Sequence, residues 1–176
     1  MTSPLPTLLA TVLLAGCTTG RRGLTPSEGV PNLGQVNPGL YRAAEPDPAG
    51  MEGLRRIGIR AIIDLQMPRE VRFGEAAEAH GFGMVYTNVP MRGLGRPTDA
   101  QVDRVLALIE SLPPPVLVHC QHGCDRTGTI IACYRIRHDG WNRARALAEA
   151  RRYGMSGWEW GMKDYVLAVG EGGGRH

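Results

Sequence analysis

From residue 39 onward, short apolar runs alternate with stretches of helical periodicity, the pattern of a sheet covered by helices. The runs predicted as strands are Leu40 to Ala43, Ile59 to Leu65, Met84 to Val89 and Val116 to His119, with helices expected between them at about 48–58, 69–80 and 98–112. In the last of these Val102, Val105, Leu106, Ile109 and Leu112 share one face, Thr98 and Gln101 have the spacing of a capping box, and Pro113 to Pro115 end the helix. Beyond residue 126 the pattern is wholly helical. Ile130, Cys133, Tyr134 and Arg137 follow at helical spacing, Asn142 offers a cap for a second helix to about Tyr153, and Met162, Tyr165, Val166 and Val169 mark a third. The fold class expected is therefore α/β, a central sheet of four to five strands flanked by helices, with a helical C-terminal half.

Residues 5–16 form an uncharged, mainly apolar run of signal-peptide length, too short to span a bilayer. The run leads into Leu14-Ala15-Gly16-Cys17, which resembles the lipobox of bacterial lipoproteins, although no Lys or Arg precedes it. On this reading residues 1–16 are a signal peptide, Cys17 carries lipid, and 17–37, rich in Thr, Gly and Pro, are a flexible tether. A catalytic domain is expected over 38–170 and a disordered tail over 171–176. The expected location is a bacterial cell envelope, facing the periplasm or exterior. A cytoplasmic location follows instead if the N-terminus is not a signal peptide.

A chain of 176 residues with 43% hydrophobic content suits one domain. Its net charge is +3, but nineteen of its twenty basic residues are Arg, spread along the chain, so no nucleic-acid partner is expected. The four cysteines do not suggest a disulfide scaffold, since Cys120 and Cys124 share one loop and Cys133 sits in a helical pattern.

The chemistry concentrates at His119-Cys120-Gln121-His122-Gly123-Cys124-Asp125-Arg126-Thr127-Gly128. An apolar strand, Val116-Leu117-Val118, enters a Gly-containing turn and then a helix. That arrangement aims backbone N–H groups and a helix's positive end at one point, where an anion is expected. Cys120 heads the turn, and such a field lowers a thiol pKa from about 8.5 to between about 3.5 and 7.5, giving a nucleophilic thiolate. Arg126, six positions later, can grip two oxygens of a phosphoryl group with its planar fork. Gln121, His122, Gly123 and Cys124 contribute mainly N–H groups.

Cys, five residues, Arg and then Ser or Thr is the signature of the protein tyrosine and dual-specificity phosphatase superfamily, and Cys120 to Thr127 resembles it with Gly123 in its usual place. The resemblance extends to Tyr41-Arg42, Val89-Pro90-Met91, Tyr134-Arg135-Ile136 and Gly140-Trp141, and thus covers about 38–169. It implies a mostly parallel sheet and a cysteine-dependent phosphomonoester hydrolase acting through phosphocysteine, with no metal and no organic cofactor. The substrate implied is a phosphorylated protein or a small phosphomonoester. Inositol phosphates or phosphoinositides are an alternative, as is a non-catalytic phosphate-binding module. A rhodanese-like sulfurtransferase is disfavoured by the long, Arg-terminated loop.

Most relatives place an acid about thirty residues before the Cys, but here that region is Met91-Arg92-Gly93-Leu94-Gly95-Arg96. Asp99 and Asp103 fit better as first-turn helix carboxylates. Asp125 is the better candidate acid, its position resembling the Asp-Arg-Thr ending of some bacterial tyrosine, phosphoinositide and myotubularin-type phosphatases. A purely structural role for Asp125 stays open, and Glu159 is a fallback. The resemblance gives His119 a supporting role and Thr127 a hydroxyl able to donate to the Cys120 sulfur. Cys124 stands where a Lys is typical of lipid phosphatases and is either a small filler or a redox partner of Cys120. His119, Cys120, His122 and Cys124 do not have a known zinc spacing. Arg42, Arg92 and Arg96 are expected in solvent, and Trp158 and Trp160 in helix packing.

Overall fold

The computed structural model describes residues 29–170. The apolar run at 5–16, Cys17 with its expected lipid, the first part of the tether and the tail at 171–176 lie outside the described residues.

Among the described residues five strands make one sheet: β1 (Gly34–Asn37), β2 (Leu40–Ala44), β3 (Ala61–Asp64), β4 (Val85–Asn88) and β5 (Val116–Cys120), in the order β1-β2-β5-β3-β4. β2, β5, β3 and β4 run parallel, and β1 alone is antiparallel, paired to β2. Because β5 returns between β2 and β3, the carboxyl end of β5 is a switch point in the strand order, where open α/β sheets form their ligand crevice.

Six helices of the described residues cover the sheet: α1 (Pro48–Arg56), α2 (Glu75–Gly81), α3 (Asp99–Ser111), α4 (Asp125–Arg137), α5 (Arg143–Arg152) and α6 (Trp160–Ala168). Successive strand side chains point to opposite faces. Val116, Val118 and Cys120 accordingly pack with residues of α3, α4 and α6 such as Val102, Ile130 and Tyr165, while Leu117 packs with Met51 and Leu54 of α1 and Ala79 of α2. Covered on both faces, β5 reads as an unbroken apolar run before His119. The capping box of Thr98 and Gln101 and the Asn142 cap form as their spacing implies. Among the described residues no helix is long and apolar enough to cross a membrane.

Three expectations are corrected. Residues 29–37 belong to the folded body rather than to a tether: β1 pairs with β2 across the Pro38-Gly39 turn, and Val30 and Asn32 are buried. An edge strand of sequence GQVN carries one apolar residue, too weak a pattern to mark it. The helix expected from residue 69 starts at Glu75, since Gly74 takes φ +88° and the preceding turn is spent on a loop towards the crevice. Arg42 is buried rather than solvated, because it faces the back of the 120–126 loop.

Candidate active site

The loop between β5 and α4 is held from behind by its carbonyl groups. Gln121 O accepts from Glu45 N–H at 3.4 Å, His122 O from Asn32 Nδ2 at 3.1 Å, and Gly123 O from Arg42 Nη2 at 2.8 Å and Asn32 Nδ2 at 3.2 Å. In a trans peptide the next N–H points opposite to the carbonyl. Anchoring three successive carbonyls on the β2 side therefore turns the N–H groups of His122, Gly123 and Cys124 towards the other side, an anion-binding nest ahead of α4. Gly123 is required twice over: its φ is +66°, and a Cβ there would stand 2.5 Å from the Ala43 carbonyl carbon and oxygen.

Arg42 supports this cradle from within the protein. Its guanidinium carbon lies 3.8 Å from the Tyr153 ring centroid, and Asn32 Nδ2 also donates to Tyr153 O at 2.9 Å, so Tyr153 closes the back of the loop. Burial lowers the Arg42 pKa to about 10, which leaves the side chain charged at neutral pH. The Arg42 cation thus adds positive potential beneath the nest.

Cys120, at the head of the loop, is buried, as is Arg126 at its end. Arg126 Nη1 donates to Glu70 Oε2 at 2.6 Å and to Met91 O at 3.2 Å. The Arg126 hydrogen bond holds the Glu70 carboxyl below the usual carboxylate range. By contrast, burial pushes the Cys133 thiol up to about 12, so that cysteine is a packing residue of α4. The Thr127 hydroxyl is buried with no hydrogen-bond partner among the described residues. Cys124 Sγ donates to His122 O at 3.2 Å, and a Cβ at Gly154 would meet that sulfur at 2.9 Å, so the thiol fills a tight gap.

The candidate acids separate. Asp125 opens α4, and its Oδ1 accepts from Ser156 N–H at 2.7 Å, tying the loop to the segment before α6. Glu159 is buried, and its Oε1 accepts from Gly95 N–H at 2.9 Å. Asp99 accepts from Tyr165 O–H, and Asp103 pairs with Arg137.

His119 faces the other layer, where its Nε2 lies 3.0 Å from Glu75 Oε1 and 3.9 Å from Asp64 Oδ1, all three side chains fully buried. Asp64, Glu75 and His119 place one ligand atom each within 4.8 Å of one another. Asp64, however, already accepts from Gln66 N–H, Tyr86 O–H and Asn88 Nδ2. The donor set thus fits a polar mount for His119 better than a cation site.

The family described as Tc-R-P, polymorphic toxin system, DSP-PTPase phosphatase, matches residues 36–140, which run from β1 through the loop to the end of α4. The chain belongs to this DSP-PTPase family. It is similar to the dual specificity protein phosphatase TpbA of Pseudomonas aeruginosa, 32% identical over 133 residues, which are 70% of this chain and 55% of that protein. The chain thus spans about half the length of that curated relative. It is also similar to inositol diphosphatase DSP3 of Arabidopsis thaliana, 29% identical over 76% of this chain and 66% of that one. A crystal structure of P. aeruginosa TpbA, a Cys-to-Ser variant in complex with pTyr, aligns with TM-score 0.69 and 28% identity over 82% of this chain and 86% of that chain.

Around this site the structure adds residues that sequence reading did not single out: Asn32, Glu70, Glu75 and Tyr153, the first and last of them outside the 36–140 match to the DSP-PTPase family. Each reaches the loop or His119 from a distant segment, so no local spacing could flag it. The usable signals were general ones, a Glu just past a strand's carboxyl end for Glu70 and a Glu opening a helix for Glu75. Trp158 and Trp160 depart from their expected packing role, standing in solvent just before α6 and at its first residue.

Proposed function

We propose that the chain is a phosphomonoester hydrolase of the tyrosine and dual-specificity phosphatase type. The observation that carries this reading is the loop itself, with Cys120 at its head, three carbonyls anchored outward and Arg126 clamped at its end. The Cys120 thiolate attacks phosphorus, Arg126 and the loop N–H groups hold the non-bridging oxygens, and the bond to the leaving oxygen breaks as Asp125 gives that oxygen its proton. Water then attacks the phosphocysteine, giving its proton to Asp125. The P–S bond breaks, phosphate leaves and the thiolate returns. The Thr127 hydroxyl, without a hydrogen-bond partner among the described residues, suits donation to that departing sulfur. In this mechanism the chain's own residues supply nucleophile, anion cradle and acid.

The favoured substrates are phosphotyrosyl or mixed phosphoprotein residues, supported by the likeness to TpbA. Inositol phosphates are the second reading, supported by the likeness to DSP3. Hydrolysis of an activated aryl phosphate in chelator by wild type, Cys120→Ser and Asp125→Asn tests the chemistry. Activity should vanish in the first variant and fall about 100-fold or more in the second on substrates with poor leaving groups. Equal rates for all three chains would end the proposal. Rates on a phosphotyrosyl peptide against an inositol polyphosphate decide between the substrates.

For the N-terminus the proposal remains a lipid on Cys17 and an envelope location. Incorporation of labelled palmitate that Cys17→Ser abolishes would support it. No incorporation would favour the cytoplasmic alternative.

A further inference from the structure

Of the large apolar side chains exposed among the described residues, Phe73 (100%), Trp158 (88%), Leu94 (79%) and Trp160 (69%) are the most open. They come from three separate segments, 66–74 after β3, 89–98 after β4 and 153–160, which runs from the end of α5 to the first residue of α6. Hydrogen bonds gather those segments around the 120–126 loop. Glu70 and Met91 both accept from Arg126, Ser156 N–H donates to Asp125, and Gly95 N–H donates to Glu159. The start of α6 also meets the second segment so closely that a Cβ at Gly161 would stand 2.5 Å from Arg96 N. Phe73 therefore lies three positions from a bond to the loop's arginine, and Leu94, Trp158 and Trp160 one position from the bond that joins their two segments. The three segments lie at the carboxyl end of the parallel strands, the end that carries the 120–126 loop, and each exposes at least one of the four side chains.

Charge follows the same end. The exposed charged residues of the three segments are Arg69, Arg92 and Arg96, all positive, while their acids Glu70 and Glu159 are taken up by Arg126 and Gly95. The Lys163 amine, buried and donating to Gly157 O, lies 4.4 Å from the Trp160 ring centroid and fixes that ring's base. Trp, Phe and Leu interleaved with Arg is the composition of a surface that sits at a lipid headgroup boundary. A peptide needs a groove, and the cleft of about 360 Å³ beside the loop, lined by Pro31, Ala44, His122 and Tyr153 among others, is built without any of the four. A plane can meet open side chains on three separate loops at once.

We propose that this rim docks the domain, site first, onto an anionic membrane surface, with Phe73, Leu94, Trp158 and Trp160 entering the headgroup region and Arg69, Arg92 and Arg96 facing lipid phosphates. The docking goes beyond the catalytic reading and depends neither on it nor on a lipid at Cys17. The test uses the full chain and vesicles of phosphatidylcholine with phosphatidylglycerol, against pure phosphatidylcholine. Wild type partitions onto the anionic vesicles and salt weakens it. The variant carrying Phe73→Ser, Leu94→Ser, Trp158→Ser and Trp160→Ser, which keeps the same N-terminus, partitions at least about ten-fold less. Both hydrolyse a soluble aryl phosphate equally, which separates loss of docking from failure of the chemistry or of folding. Brominated lipid quenches the tryptophan fluorescence of bound wild type, a readout that needs no variant, because Trp141 is held between Arg135 and Arg145. Equal partitioning of the two chains, or bound protein without quenching, overturns the proposal. So does a variant that partitions normally but loses turnover of a phosphotyrosyl peptide in vesicle-free solution, since the rim would then read peptide.

Discussion

Arg126 and Glu70 meet at 2.6 Å, joining the end of the 120–126 loop to the segment after β3, and the same guanidinium nitrogen also donates to the Met91 carbonyl after β4. A carboxylate beside an expected anion site does not serve affinity through its own charge. Its use is orientation: Glu70 and Met91 hold one edge of the fork, so that the remaining N–H donors point in a fixed direction.

Glu70→Gln keeps the shape and removes the charge. kcat/KM on an aryl phosphate should fall about 10-fold to 100-fold, the usual cost of a misplaced catalytic group, with Cys120 still alkylated by iodoacetamide. The sign with pH also follows. The folded state depresses the Glu70 pKa, chiefly through the Arg126 hydrogen bond, so the pair's stabilisation is present above the unfolded carboxylate pKa and is lost as pH falls through the folded one. Urea midpoints measured from neutral pH into mild acid should show that loss in wild type and a smaller one in Glu70→Gln.

Arg42 combines a bond to Gly123 O with a stacked contact on Tyr153, and a Lys cannot supply the planar face for the second. Arg42→Lys should weaken inhibition by vanadate, a phosphate analogue, more than it changes kcat on an aryl phosphate. Arg42→Ala should destabilise by about 2–4 kcal/mol, because it opens a buried cavity and leaves the Gly123 carbonyl one donor short. A chemical-denaturation midpoint unchanged in Arg42→Ala would show that the loop is held without it.

Gly123→Ala forces a Cβ to within 2.5 Å of the Ala43 carbonyl at a left-handed φ of +66°. The methyl group can be placed only by moving the loop off β2, which breaks the outward anchoring of its carbonyls. Vanadate affinity should drop by more than about 100-fold, while the far-ultraviolet circular dichroism stays that of an α/β fold. Retained affinity would mean that the loop can shift as a rigid unit.

What the sequence made legible was the part governed by periodicity and by contiguous motif. β5 announced itself as Val116-Leu117-Val118, α3 by Thr98, Gln101 and its apolar face, and the site by Cys120 and Arg126 in one short run. What stayed hidden depends on chain segments far apart. Asn32 reaches a loop ninety positions away, and Glu70 meets Arg126 across fifty-six, so neither has a local signature. β1 hid because an edge strand needs little apolar surface. Trp158 and Trp160 misled for the opposite reason: aromatic residues beside a helix normally pack, and only the exposure of these two reveals them as a surface.

The Glu75 and His119 contact offers a last test, because two readings of it diverge. As a buried polar contact, with Nε2 and Oε1 3.0 Å apart and both side chains shielded from water, it should resist chelators. Glu75→Ala would then cost about 1–3 kcal/mol, the usual penalty for leaving a buried polar group without its partner, and Glu75→Gln less, since the amide keeps a polar group facing the imidazole. Were the trio with Asp64 instead a cation site, chelation would lower the wild-type melting temperature towards that of the variant, and added divalent metal would restore it. The three hydrogen bonds already accepted by Asp64 favour the first outcome. A melting temperature unchanged by chelator in wild type, together with a lower one in Glu75→Ala that no metal rescues, is the expected result.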